Sequence, residues 1–263
     1  MTPVLHPELP YAVWTDPAMW RLPGVAPAGP DDWLQVDAAY AGQMALRDAL
    51  VVKRPAAVVA MLDNARSAAE EMLENALDWA RRHGGYHIGA DQITRPDGVT
   101  IRPDSDTPLI TLARLFQQDL CLMERHGDAH VLTGAALCFP ASWTLAEKLG
   151  KPLDAIHRPV PEYHADLAKR VQRLFDAIAV DRPLWRANAL FYNDPALHQP
   201  RSEGATARAA GAEAAYLRSE KQVLKRLPRT GAVVFSIHTW LVARTALSVE
   251  QAKGLASARV GTV

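Results

Sequence analysis

The chain has 263 residues, 49% apolar and 22% charged, with 29 basic and 29 acidic side chains. That apolar content suffices for one large core or two small ones and excludes a disordered tail or a minimal disulfide scaffold; zero net charge favours neither a polyanion nor a membrane surface. Cys121 and Cys138, each inside an apolar run, suit buried thiols in a reducing compartment and are too few for a self-contained iron–sulfur cluster or zinc ribbon.

The first residues show no basic-then-apolar leader pattern, and no run of 18 apolar residues occurs, so a cytoplasmic location is expected. Residues 1–33 hold seven of the 19 prolines and three of the seven tryptophans, which predicts an ordered arm packing on a main domain. Val36, Tyr40 and Met44 recur four apart and predict a helix over 36–50. A second helix is predicted from Ala65, Ala69, Met72, Leu73, Ala76, Leu77 and Ala80, ended by Gly84-Gly85. Residues 86–107 read as a loop. Leu109, Leu112, Phe116, Leu120 and Met123 predict another amphipathic helix that stops near Gly127.

Three short apolar runs then predict strands, His130 to Phe139, Trp185 to Tyr192 and Gly231 to Leu241, with a helix carrying Tyr163, Leu167, Val171, Leu174 and Ile178 between the first two. Residues 193–215 form a polar stretch of lid-like length. The turn at Pro228-Arg-Thr-Gly231 argues that 216–227 pairs with the last strand as a hairpin. Ser248-Val-Glu-Gln251 has the pattern of a capping box for a terminal helix. The expected organisation is an arm over 1–33, a single α+β domain over 34–243 around a mostly antiparallel sheet, and a short helix and tail over 244–263.

The usual nucleotide loops, Gly-x-Gly-x-x-Gly after a strand and Gly-x-x-x-x-Gly-Lys-Ser/Thr, are missing, as are Gly-x-Ser-x-Gly and His-Glu-x-x-His. His164 and Asp166, with His198 downstream, imitate a two-histidine, one-carboxylate iron site, but residues two apart on a helix point about 200° apart. His126 and His130 read as surface-loop histidines. His157 sits among Leu153, Ile156 and Val160 with prolines on both sides, which suits either a haem ligand or a buried histidine bonded to a backbone carbonyl. Alternation places Arg218, Glu220, Gln222, Leu224 and Arg226 on one strand face, which reads as a polar pocket wall or a solvated edge. Arg201, Arg208, Arg218, Lys221, Lys225, Arg226 and Arg229 make the one dense basic run.

Five segments occur together in order: Gln118-Asp-Leu-Cys-Leu-Met123, Cys138-Phe-Pro-Ala-Ser-Trp143, Glu147-Lys-Leu-Gly-Lys-Pro-Leu-Asp-Ala-Ile-His-Arg-Pro-Val-Pro161, Trp185-Arg-Ala-Asn188, and Arg218-Ser-Glu-Lys-Gln222 through Arg226-Leu-Pro-Arg-Thr-Gly231. In this ordered set the chain resembles the α subunit of haem-dependent oxidative N-demethylase, from about Trp33 to Leu241. The resemblance implies a PAS-like domain, a five-stranded antiparallel sheet flanked by helices, holding non-covalent haem b. It implies oxidation of a small methylated amine such as dimethylamine by dioxygen, releasing formaldehyde. Electrons would come from NADPH through FMN and an iron–sulfur cluster on partner reductase subunits, which suits a chain without those motifs.

The same resemblance makes His157 the expected axial ligand, with His198 in reserve, and Lys148, Arg218, Arg226 and Arg229 candidates for the haem propionates. Glu220 and Gln222 would line the distal pocket as the catalytic pair. Three positions depart from the family pattern: Gln118 replaces an acidic residue, His238 and Trp240 a basic residue and a tyrosine, and Ala189 an aromatic. If they border the pocket, a bulkier amine is the expectation. The competing readings are a haem-binding PAS-like sensor or carrier and a scaffolding subunit without haem.

Overall fold

The computed structural model describes residues 3–158, 163–205, 214–258 and 261–262. Pro159, Val160 and Pro161 of the His157 segment, and Arg208 with the rest of 206–213, lie outside them. In the amino-terminal arm, α1 (Pro17–Trp20) starts with Pro17 at its first position and is capped by the Asp16 carboxylate, which accepts from Ala18 N at 2.9 Å. β1 (Ala26–Pro27) follows. α2 (Tyr40–Lys53) begins later than its apolar spacing suggests, because Asp37 turns the chain by accepting from Ala39 N. α3 (Pro55–Val58) runs into β2 (Val59–Met61), and α4 (Arg66–Arg82) carries the longest apolar stripe.

The stretch expected to be a loop forms a small second sheet of two-residue strands, β3 (His87–Ile88), β4 (Ile93–Thr94) and β5 (Thr100–Ile101). α5 (Pro108–Leu115) then ends early, and the rest of its predicted span is β6 (Asp119–His126). The reason is burial on both faces: Asp119 to Met123 are all buried, so the strand shows no alternation and its apolar residues also fit a helical step. β7 (Ala129–Ala136), α6 (Leu145–Lys148), α7 (Leu153–His157), α8 (Ala165–Ala177), β8 (Leu184–Tyr192), β9 (Tyr216–Arg226), β10 (Val233–Ala243), α9 (Val249–Ser257) and β11 (Gly261–Thr262) complete the chain. Ser248 and Gln251 close both bonds of the capping box on α9.

The main sheet runs β1-β8-β9-β10-β6-β7-β2 with every neighbour antiparallel, and β11 adds to β8 in parallel. The expected strand number of five is therefore corrected to seven antiparallel strands. Five of them, β6 to β10, are eight to eleven residues long; the extra β1 and β2 have two and three residues, too short to register as a period. β9 pairs along its length with both β8 and β10, which removes the solvated-edge reading of 216–226.

Helices cover both faces. On one, α4 and α5 bury Met72, Leu112, Leu120, Leu122, Val223 and Val234 with Trp33 of the arm, each such side chain contributing roughly 1.5–3 kcal/mol. Beside them Leu9, Val13 and Trp14 of the arm and Leu255 of α9 pack on Ala187, Ala189, Leu217 and Trp240. On the other face α6, α7 and α8 pack on Cys121, Met123, Leu132, Leu224, Val233 and Ile237, while α2 meets Leu241 and Phe139. Among the described residues, no helix is long and apolar enough to cross a membrane.

Candidate functional site

Between those two helix groups on the second face lies a polar floor. The β8–β9–β10 register aligns Arg186 with Gln222 and Ile237, Asn188 with Glu220 and Thr239, and Leu190 with Arg218 and Leu241. Arg218, Glu220 and Gln222 are only 1%, 7% and 8% exposed. Their charges are satisfied internally. Glu220 Oε1 accepts from Arg218 Nη2 at 3.1 Å and Nε at 3.3 Å, and Oε2 accepts from Asn188 Nδ2 at 3.1 Å and Gln222 Nε2 at 3.2 Å. Arg218 also donates to the carbonyls of Leu197 and Phe139, at 2.9 and 2.5 Å.

Arg186 extends this network, donating from Nη1 to Gln222 Oε1 at 2.7 Å and from Nε to Pro23 O at 3.2 Å, which leaves its Nη2 edge open. It is half-buried, and burial pulls its pKa below the usual guanidinium value while Glu220 opposes the shift. Across the floor, the buried Thr239 Oγ1 has no hydrogen-bond partner. Trp143, Ile156 and Phe235 are partly buried and pack against the apolar cluster of Leu224 and Ile237 on the same face.

His157 ends α7 beside this floor. Its Nδ1 bonds the Leu153 carbonyl at 2.8 Å, and its ring stacks on Tyr163 with centroids 4.5 Å apart and planes at 19°. Burial pushes the imidazole pKa down, the Leu153 carbonyl opposes this, and the positive charges of Arg186 and Lys148 add to the depression. A carbonyl only accepts, so Nδ1 carries the proton and Nε2 keeps its lone pair, the state in which histidine binds a metal. His198 has the same electronic arrangement: Nδ1 bonds Cys138 O at 2.8 Å, and its buried Nε2 has no partner. These donors fit a haem iron, and the residue set is compatible with that group.

Of the four expected propionate cations only Arg218 belongs to this floor, where it is paired with Glu220. Arg226 donates to the carbonyls of Phe175, Ile178 and Gly231, closing the end of α8 against the hairpin. Arg229 sits on the turn beyond β9 and pairs with Glu74 of α4, on the other side of the sheet. Lys148 is buried, bonded to Ile156 O at 2.8 Å and Glu203 Oε1 at 2.5 Å. Sequence pattern gives no site role to Arg186, Asn188, Tyr163 or Thr239. The first two share the parity of β8 that faces Glu220 and Gln222, a signal visible only once the strand register is known.

The family-variant positions do not border this floor. Ala189 is 1% exposed and packs against the arm on the opposite face, so a smaller side chain there does not enlarge the site. Gln118 and His238 also lie on that opposite face. His238 Nε2 meets Asp37 Oδ2 at 2.7 Å, His6 Nε2 meets the same oxygen at 2.8 Å, and Gln118 Nε2 donates to His238 Nδ1 at 2.7 Å. His6, Asp37 and His238 are the one converging group of possible metal ligands among the described residues. Their protons argue against a metal. His6 Nδ1 accepts from Leu241 N, and His238 Nδ1 from the Gln118 amide, so both rings carry their proton on Nε2 and donate it to Asp37. The trio instead ties the arm to β10.

The other histidine expectations separate. His164 caps α8, its Nδ1 accepting from Leu167 N at 3.4 Å, and does not join Asp166 or His198. His130, expected in a surface loop, is 1% exposed and bonded through Nδ1 to Gln172, because β7 starts right after a two-residue turn at Gly127. Both cysteines are buried free thiols, and burial pushes Cys138 up to about 12. Residues 24–260 match the family model described as haem-dependent oxidative N-demethylase, alpha subunit-like.

Proposed function

The chain belongs to the haem-dependent oxidative N-demethylase alpha subunit-like family, and we propose that it is the haem-binding, amine-oxidising subunit of a multi-subunit oxygenase. The observation that carries this reading is His157: a neutral imidazole held through Nδ1 by the Leu153 carbonyl, its Nε2 lone pair unspent, beside a buried polar floor. In this reading His157 Nε2 would hold the iron of haem b, with His198 as the alternative ligand, and Arg186 would be available to a propionate. The strand order β7-β6-β10-β9-β8 supports a PAS-like core within the larger sheet.

When bound, haem supplies dioxygen activation that ordinary side chains lack. The protein's own part is to hold the amine. In this reading a small alkylammonium would replace the Asn188 and Gln222 amides on Glu220 Oε2, and the carboxylate would hold it as an ion pair or accept its proton. The overall change, a methylated amine with dioxygen, two electrons and two protons giving the demethylated amine, formaldehyde and water, needs an outside electron donor. With two buried cysteines and no dinucleotide loop, this chain would receive those electrons from a cytoplasmic reductase partner carrying NADPH, FMN and an iron–sulfur cluster.

A second reading, a haem-binding sensor or carrier, is favoured by one observation: four N–H donors already converge on Glu220, so the floor can also act as a fixed scaffold. Formaldehyde release separates the two. Protein reconstituted with hemin, chemically reduced in air and offered methylated amines yields formaldehyde if it is the enzyme; haem binding with no formaldehyde across a broad amine panel identifies the sensor or carrier.

A further inference from the structure

We propose that Lys148 is a positioning residue: it holds the end of α7 so that His157 presents Nε2 to the haem, and its ion pair with Glu203 ties that ligand to the segment following β8. This rests on the reading of His157 as the iron ligand. Lys148 lies on α6, and its side chain is 4% exposed, so the ammonium has no open side toward a partly solvated propionate. Its Nζ donates to Ile156 O at 2.8 Å and to Glu203 Oε1 at 2.5 Å.

The location of the first bond gives it consequence. α7 has only five residues, and Ile156, next to His157, is in its last turn, where carbonyls have no partner within the helix. A cation placed on such a carbonyl also meets the negative end of the helix dipole. Leu153 O fixes the imidazole relative to α7 and Tyr163 stacks on the ring; Lys148 adds a polar restraint of α7 against α6 to the apolar packing of Leu153 and Ile156. Glu203 accepts the other Lys148 bond and lies 3.8 Å from Lys151 Nζ, while its backbone N–H donates to Glu147 at 3.0 Å. The segment around 203 is thus fastened to α6 by two adjacent residues, 147 and 148. Outer partners of a metal-binding histidine commonly change metal affinity by about 10- to 100-fold.

The test is a hemin titration of the full chain followed by Soret absorbance and ferric EPR, for wild type, Lys148→Met, Glu203→Gln, His157→Gly and the double variant Lys148→Met/His157→Gly. Lys148→Met is expected to bind hemin about tenfold more weakly with a mixed spin state, and Glu203→Gln to shift in the same direction by a smaller factor. The decisive pair is His157→Gly with exogenous imidazole, where the ligand no longer depends on α7. There Lys148→Met is expected to have no further effect on affinity or spin state. A Lys148→Met protein identical to wild type, or a loss of equal size in the imidazole-rescued background, overturns the proposal, the latter pointing to a general structural role. Unchanged hemin binding in His157→Gly without imidazole instead refutes the ligand assignment on which it rests.

Discussion

Replacing Arg218 by methionine probes the floor of the site most sharply. The side chain is 1% exposed and makes four hydrogen bonds, two to Glu220 and one each to the carbonyls of Leu197 and Phe139. Methionine fills similar space but strands a buried carboxylate and leaves two carbonyls without a donor. Breaking a buried pair on one side costs about 3–5 kcal/mol, out of a total stability of about 5–15 kcal/mol for a typical domain. For a chain of this size that corresponds to a fall in Tm of roughly 10 °C. Urea unfolding at constant pH measures it, with Glu220→Leu and the double variant completing a cycle. The double variant is expected to lie well above the sum of the two single losses, because the stranded charge is gone. A loss of less than about 1 kcal/mol for Arg218→Met, or additive single losses within about 0.5 kcal/mol, would refute the description of the floor as a mutually neutralised pair.

Acid is expected to loosen the arm. Burial depresses the His238 pKa although Asp37 opposes it; burial would raise Asp37, but hydrogen bonds from His238 and His6 hold it well below the carboxylate range. With the His238 folded pKa lowered, the unfolded chain takes that proton first, so stability is level above about pH 6.5 and falls below it by up to about 1.4 kcal/mol per pH unit. Urea midpoints between pH 7.5 and 5.5 should show that slope added to those of His130 and His157, which burial also depresses, and His238→Gln should reduce the total by its own share. Ala189→Phe is expected to destabilise by about 1–3 kcal/mol through overpacking against the arm while leaving amine preference untouched; a change in preference without loss of stability would place residue 189 at the site after all. Glu220→Gln is expected to retain hemin but lose about 10²-fold or more in formaldehyde release, measured under single-turnover reduction. Turnover equal to wild type would remove Glu220 from proton handling.

Much of the fold is legible from local pattern. The α4 stripe, the α9 capping box and the β9–β10 hairpin each rest on residues within one or two turns of one another, and each occurs where the pattern places it. β6 is misread as helix because Asp119 to Met123 is buried on both faces, so its period carries no sign of a strand. β1 and β2 are defined by their neighbours rather than by their own two or three residues. The site divides similarly. Alternation along β9 groups Arg218, Glu220 and Gln222, but only the long-range register adds Arg186 and Asn188 from β8. Charge alone does not separate Arg226 and Arg229, spent on α8 and α4, from Arg186 with its open edge. Nor does composition reveal that Ala189 and His238 face away from Glu220, since one residue of shift reverses a strand's faces.

The central claim is that His157 offers Nε2 to a haem iron. Hemin titration of the wild-type chain and His157→Ala, read by the Soret band and the ferric EPR spectrum, tests it most directly. The account predicts one hemin per chain with an imidazole-ligated spectrum in the wild type, and a weakened, differently ligated complex in His157→Ala that exogenous imidazole restores. No Soret band in the wild type, or the same ligated spectrum and affinity in His157→Ala, would contradict it.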